Sequence, residues 1–169
     1  MVGYLGLIGA VALMRLVELK ISNRNVRRLL AAGGVESGAG HYPAMVLVHT
    51  FWLVSCVVEV LVMERPFVPV LGYPMVALLL CAIALRYQVI RTLGPRWTTR
   101  VITVQGAPRI TTGPYRWLRH PNYLAVALEI VALPLIHSAW MTAVVFGLAN
   151  LLVLRIRIAV EDEALEASA

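Results

Sequence analysis

The sequence predicts an all-α fold: a polytopic membrane helical bundle of about five transmembrane helices, the last two forming a tight helical hairpin. Three observations predict it. Hydrophobic residues make up 60% of the 169-residue chain and charged residues 14%, against roughly 25% charged in soluble domains. A soluble protein this apolar cannot cover its own surface with polar groups, a demand that lipid as solvent removes. Apolar runs approaching the ~20 residues a spanning helix needs recur along the chain. The basic residues, which give a net charge of +6, fall between those runs. That pattern sets membrane orientation and lacks the single basic stripe of a nucleic-acid binder.

The first run extends from Val2 to Ile21. It lacks a basic n-region and a clean cleavage site, so it reads as a retained helix and not a removed signal peptide. Arg15 and Glu18, three apart on one face of it, can pair. The second run is Pro43 to Met63, with Glu59 near its end, where the side chain is expected to snorkel. The third is Val70 to Leu85, the fourth Tyr123 to Ile136 and the fifth Trp140 to Leu154. Only His137, Ser138 and Ala139 separate the last two, hence the hairpin. Both are short for a span, which thinning or tilt accommodates.

Arg24, Arg27 and Arg28 follow the first run; Arg91, Arg96, Arg100, Arg109, Arg116 and Arg119 follow the third; Arg155 and Arg157 follow the fifth. The opposite loops hold only Glu64-Arg65 and the His137-Ser138 turn. Every basic cluster thus lands on one face, cytoplasmic by the positive-inside rule, with the N-terminus outside and the C-terminus inside. The chain reads as one integral-membrane domain over 1–169: a three-helix scaffold over 1–85, then a loop, the hairpin and a C-terminal helix over 86–169. Segment 23–28 reads as a helical extension of the first helix, which Gly33-Gly34 and Gly38 then break. Between Arg86 and Asn122, Gly94, Pro95, Gly106, Pro108, Gly113, Pro114 and Pro121 favour turns, and Val101-Ile102-Thr103-Val104 fits a short strand. Ordered long loops of this kind commonly carry function.

Three constellations can carry chemistry. The first is Gly113-Pro114-Tyr115-Arg116 with Arg119-His120-Pro121-Asn122-Tyr123. Pro121 suits the first turn of a helix, whose free N–H groups and positive end attract an anion. Tyr115 and Tyr123 offer rings and hydroxyls. The competing reading is an interfacial belt, where such residues also gather. The second is the run from Arg155 to Leu165, in which Arg157 and Glu161 share a helix face. A solvated charged helix end competes with an acidic site for a cationic ligand. The third is Glu129, an ionisable group inside a span and so a functional candidate; a structural pair with Arg15 competes. His41, His49 and His137 stand apart, Cys56 and Cys81 lie in apolar runs, and neither set builds a metal site.

The His-Pro-Asn-Tyr segment, the apolar hairpin, and Arg157-Ile158 with Glu161-Asp162 together resemble the isoprenylcysteine carboxyl methyltransferase family over roughly Leu93 to Leu165. The family usually has two adjacent Glu residues where this chain has Glu161-Asp162. Arg15-Leu16-Val17-Glu18-Leu19, Asn23-Arg24-Asn25, Gly33-Gly34-Val35-Glu36 and His41-Tyr42 look like a bacterial branch associated with type III polyketide synthases, which acts on alkylpyrones or alkylresorcinols. The resemblance implies S-adenosylmethionine as cofactor and a lipophilic or prenylated acceptor entering from membrane lipid, with no nucleic acid involved. It implies cofactor binding by Gly113, Pro114, Tyr115, Arg119, His120, Pro121, Tyr123, Arg157 and Glu161. It further implies that Arg155 holds the acceptor oxygen; a phenol or enol acceptor would gain from a base, and the ionisable Glu129 within its span is the candidate. A membrane NADPH-dependent reductase related to sterol reductases, which shares the His-Pro-Asn-Tyr hairpin, and a non-catalytic membrane protein remain alternatives.

Overall fold

The computed structural model describes residues 1–168. In chain order come α1 (Val2–Ala31), β1 (Val35–Ser37), a 3-10 turn (Ala39–His41), α2 (Tyr42–Val62) and α3 (Pro69–Leu93). A 3-10 turn (Gly94–Arg96), β2 (Val101–Thr103), a 3-10 turn (Gly113–Arg116), α4 (Pro121–Leu135) and α5 (Trp140–Ala167) follow. Among the described residues α1, α2, α3 and α5 are long and apolar enough to cross a membrane. The 15-residue α4 is roughly 22 Å long at 1.5 Å per residue, short of a ~30 Å hydrocarbon core. The bundle wears its apolar side chains outward: Leu13, Val58, Leu80, Val144, Leu148 and Leu152 are exposed. Its interior is packed by Trp52, Cys56, Val60, Leu79, Ile130 and Leu133.

A helix in lipid must satisfy its backbone internally, and α4 contains Pro134, which has no N–H to give the carbonyl four residues earlier. That carbonyl, Ile130, accepts from the Trp52 indole of α2 at 3.1 Å. The Tyr4 hydroxyl of α1 donates to the Leu133 carbonyl at 3.1 Å. Two aromatic donors therefore fasten α1 and α2 to the weakened end of α4.

One cluster of four charges lies inside the bundle. Arg86 of α3 meets Glu129 of α4 through two bonds, Nε to Oε1 at 3.1 Å and Nη2 to Oε2 at 2.6 Å, and reaches Glu18 of α1 at 3.5 Å. Arg15 completes the set, 2.9 Å from Glu18 and 3.4 Å from Glu129. The cluster is charge-balanced, which is how ionised groups survive burial.

α1 runs unbroken to Ala31, as the helical extension over 23–28 anticipates, and α5 continues past Leu154 to Ala167, as the C-terminal helix anticipates. α3 departs from the expectation by passing Arg86 to reach Leu93. Charged residues ended the apolar runs without ending the helices, because each finds a partner or water. Glu59 does not snorkel. It is 7% exposed and accepts from the Met141 and Thr142 N–H groups at 3.2 and 2.7 Å, capping α5 from α2, with Arg65 at 3.1 Å. The loops at the opposite face close into a two-stranded antiparallel sheet pairing Val35 with Thr103, Glu36 with Ile102 and Ser37 with Val101.

Candidate active site

The turn from Ile136 to Ala139 folds α5 back along α4, which brings the start of α4 and the distal third of α5 together. His120 takes the N-cap position of α4, with Pro121 in the first turn. Across the gap, His120 Nδ1 lies 3.9 Å from Glu161 Oε1, and Nε2 lies 3.2 Å from Asp162 Oδ1 without hydrogen-bond alignment. Arg119 pairs with Asp162 at 3.1 Å. The Tyr123 ring stacks on His120 at 5.5 Å between centroids. Its hydroxyl donates to Glu161 and accepts from Arg157 Nε at 3.0 Å.

These groups border a cavity of about 530 Å³, within the usual range for small-molecule sites. Tyr115 and Asn122 complete the hairpin side, and Trp97, Thr98, Arg100 and β2 form the facing wall. Burial first, and the Glu161 carboxylate second, push the Tyr115 hydroxyl well above the ordinary phenol range, so it enters the site as a neutral donor. Five polar atoms on this lining are buried without a hydrogen-bond partner: Trp97 Nε1, Arg100 Nε, His120 Nε2, Asn122 Oδ1 and Asp162 Oδ1. Orphaned buried groups are costly, and clustered around one cavity they suit a polar ligand.

Arg157 is 4% exposed. Its contacts are the Tyr123 hydroxyl, the Tyr123 ring at 5.6 Å and the Met45 sulfur at 3.5 Å. No carboxylate lies within ion-pair distance of it among the described residues, whereas Arg15, Arg65, Arg86, Arg100 and Arg119 each have one.

Of the residues singled out from sequence, Tyr115, Arg119, His120, Tyr123, Arg157 and Glu161 line the cavity. Pro121 starts the helix behind them. Gly113 and Pro114 do not line it. Gly113 holds φ +58° against Thr92, whose Oγ1 would lie 2.5 Å from an added Cβ, and Pro114 is buried in the turn that presents Tyr115. Two expected catalytic residues are displaced. Arg155 is exposed and off the cavity, because two residues along a helix turn the side chain about 200° away from Arg157. Glu129 is held in the Arg15–Arg86 cluster and does not border the cavity. Asp162, Asn122 and Trp97 were not anticipated. Asp162 was visible as the second acid beside Glu161. Asn122 sat inside the His-Pro-Asn-Tyr segment, and Trp97 gave no signal beyond being an aromatic in a polar loop.

These groups gather at one end of a helical membrane bundle. The chain belongs to the isoprenylcysteine carboxyl methyltransferase family, whose sequence model matches residues 75–167. It is 34% identical over 161 residues, 95% of each chain, to the uncharacterized protein YpbQ of Bacillus subtilis. It is 28% identical over 153 residues to an uncharacterized protein of Haemophilus influenzae, covering 90% of this chain and 88% of the relative.

Proposed function

We propose that this methyltransferase uses S-adenosylmethionine to methylate an anionic oxygen on a lipid-like acceptor that enters from the bilayer. The observation that carries the reading is Arg157, a buried cation without a counterion beside a cavity that also holds acids. The residues fit the cofactor's charges. Glu161 and Asp162 suit its cationic sulfonium and amino groups, while His120, Arg119 and the start of α4 suit its carboxylate. Tyr115, Tyr123 and Trp97 offer ring faces, and the orphaned Trp97 and Asn122 atoms offer a donor and an acceptor. When bound, the cofactor supplies a methyl group on a sulfonium that leaves as a neutral thioether.

The protein's part is positioning and exclusion of water. Arg157 draws in the acceptor oxygen as an anion. Its own orientation is fixed by Tyr123, which in turn bridges to Glu161, so the acceptor clamp and the donor-binding acid share one hydroxyl. An isoprenylcysteine-type carboxylate needs no base. An alkylpyrone or phenolic lipid arrives as enolate or phenolate, with the guanidinium favouring the ionised form. The polyketide-associated acceptors therefore stay within the proposed substrate class, and the basic loops set the site on the cytoplasmic side.

The test incubates purified protein with labelled S-adenosylmethionine and a panel of prenylcysteine, alkylpyrone and alkylresorcinol acceptors, and identifies the labelled product. Arg157→Met is expected to cut turnover by 100-fold or more, at about 3 kcal/mol for a charged hydrogen bond, with donor binding retained. His120→Ala and Glu161→Gln are expected to weaken donor binding. Unchanged donor affinity in both, or full activity in Arg157→Met, overturns the reading.

A further inference from the structure

We infer that Ser22 and Asn25 of α1, outside the family-matched span, are positioning residues that fix the donor-facing wall of the cavity. This rests on the reading that S-adenosylmethionine occupies that cavity. Both residues are buried, at 0% and 4% exposure, on a helix whose other buried positions are mostly apolar or ion-paired. Their hydrogen bonds go to one short loop. Asn25 Nδ2 donates to the carbonyls of Gly94 at 3.2 Å and Trp97 at 2.8 Å. Ser22 Oγ accepts from the Thr99 N–H at 2.8 Å and shares a second bond with Thr99 Oγ1 at 2.8 Å.

Further ties from the same half of the chain continue the series. The Tyr42 hydroxyl meets Thr99 Oγ1 at 3.3 Å, Glu36 pairs with Arg100 at 3.1 Å, and β1 pairs with β2 across 101–103. Between the 3-10 turn at 94–96 and β2, residues 97–100 have no regular structure, so these partners set their path. Trp97, Thr98, Arg100 and β2 are the wall opposite the hairpin. The Trp97 indole N–H, buried and without a partner, is aimed by a residue whose carbonyl Asn25 holds. Arg157 is held by Tyr123 and Met45, neither of which belongs to this wall.

Full-length protein in detergent tests this through Ser22→Ala and Asn25→Ala. Each is expected to raise the KM for S-adenosylmethionine about tenfold, as for one buried hydrogen bond lost, with kcat at saturating donor and the acceptor KM within about twofold. Ser22→Ala and Thr99→Val combined are expected to cost less than the sum of the two, because they share a bond. Glu59→Gln, at the other membrane face, is the control: it lowers melting temperature and leaves the donor KM alone. Should Asn25→Ala fail to accumulate, Glu36→Gln reads the same effect at about threefold. An unchanged donor KM in folded variants overturns the inference, as does a parallel loss of kcat and both KM values that tracks melting temperature. Normal donor binding by His120→Ala and Glu161→Gln is a separate outcome, in which the cavity reading fails and the inference with it.

Discussion

Glu129 shows what burial does to a residue that sequence marks as reactive. A carboxylate inside a span is expensive, and the cost is met by Arg86 at 2.6 Å and Arg15 at 3.4 Å. Removing one charge of the four strands another. Glu129→Gln is therefore expected to cost about 3–5 kcal/mol, read as a fall in melting temperature in detergent, while methylation per folded molecule stays close to normal. Arg86→Met with Glu129→Leu removes a balanced pair and is expected to be milder than either change alone. A loss of turnover in Glu129→Gln without loss of stability would restore the base role. The sequence pointed to Arg15 as a partner for Glu129. It hid Arg86, because that residue stood at the end of an apolar run and read as the start of a loop.

Among the elements, the α4–α5 hairpin was the most legible, since three residues between two apolar runs leave the chain no other path. Its helical continuation was legible as well, from Arg157 and Glu161 sharing a face. Which arginine meets the cavity was not, since exposed Arg155 and buried Arg157 stand two residues apart. Strand β1 was equally hidden, because three residues between glycines have no periodicity to detect. β2 was expected, as an isolated strand, and pairing supplied the rest. The start of α5 rests on a carboxylate from another helix, Glu59. Glu59→Gln is expected to destabilise the fold by about 1–2 kcal/mol through the weakened cap and the loss of the Arg65 pair. Thermal melts at low and high salt check it: a carboxylate sharing its charge with a helix terminus loses part of its advantage as salt rises. A melt unaltered by the substitution would show the cap to be idle.

At the scale of the whole molecule, apolar runs and the placement of arginines were enough for the membrane bundle, while the cavity was readable only on its hairpin side. Long-range partners such as Ser22 with Thr99 leave no trace in local pattern. The basic loops favour a cytoplasmic cavity, and a reporter fused after the last helix is expected to be active in its cytoplasmic form and silent in its periplasmic form. The reverse result would put the cavity on the wrong side for a cytoplasmic donor.

The ties from Ser22 and Asn25 to the loop, and from His120 to Glu161 and Asp162, have a consequence in time. The ribosome delivers α1 first and the two acids nearly last. One wall's anchor thus waits through the synthesis of three further helices before the opposite wall exists. Nascent chains that stop before α5 hold the loop and its tryptophan but have no acid to oppose His120. A ligand held between the two walls cannot chaperone such intermediates, and only the finished bundle would gain stability from binding it.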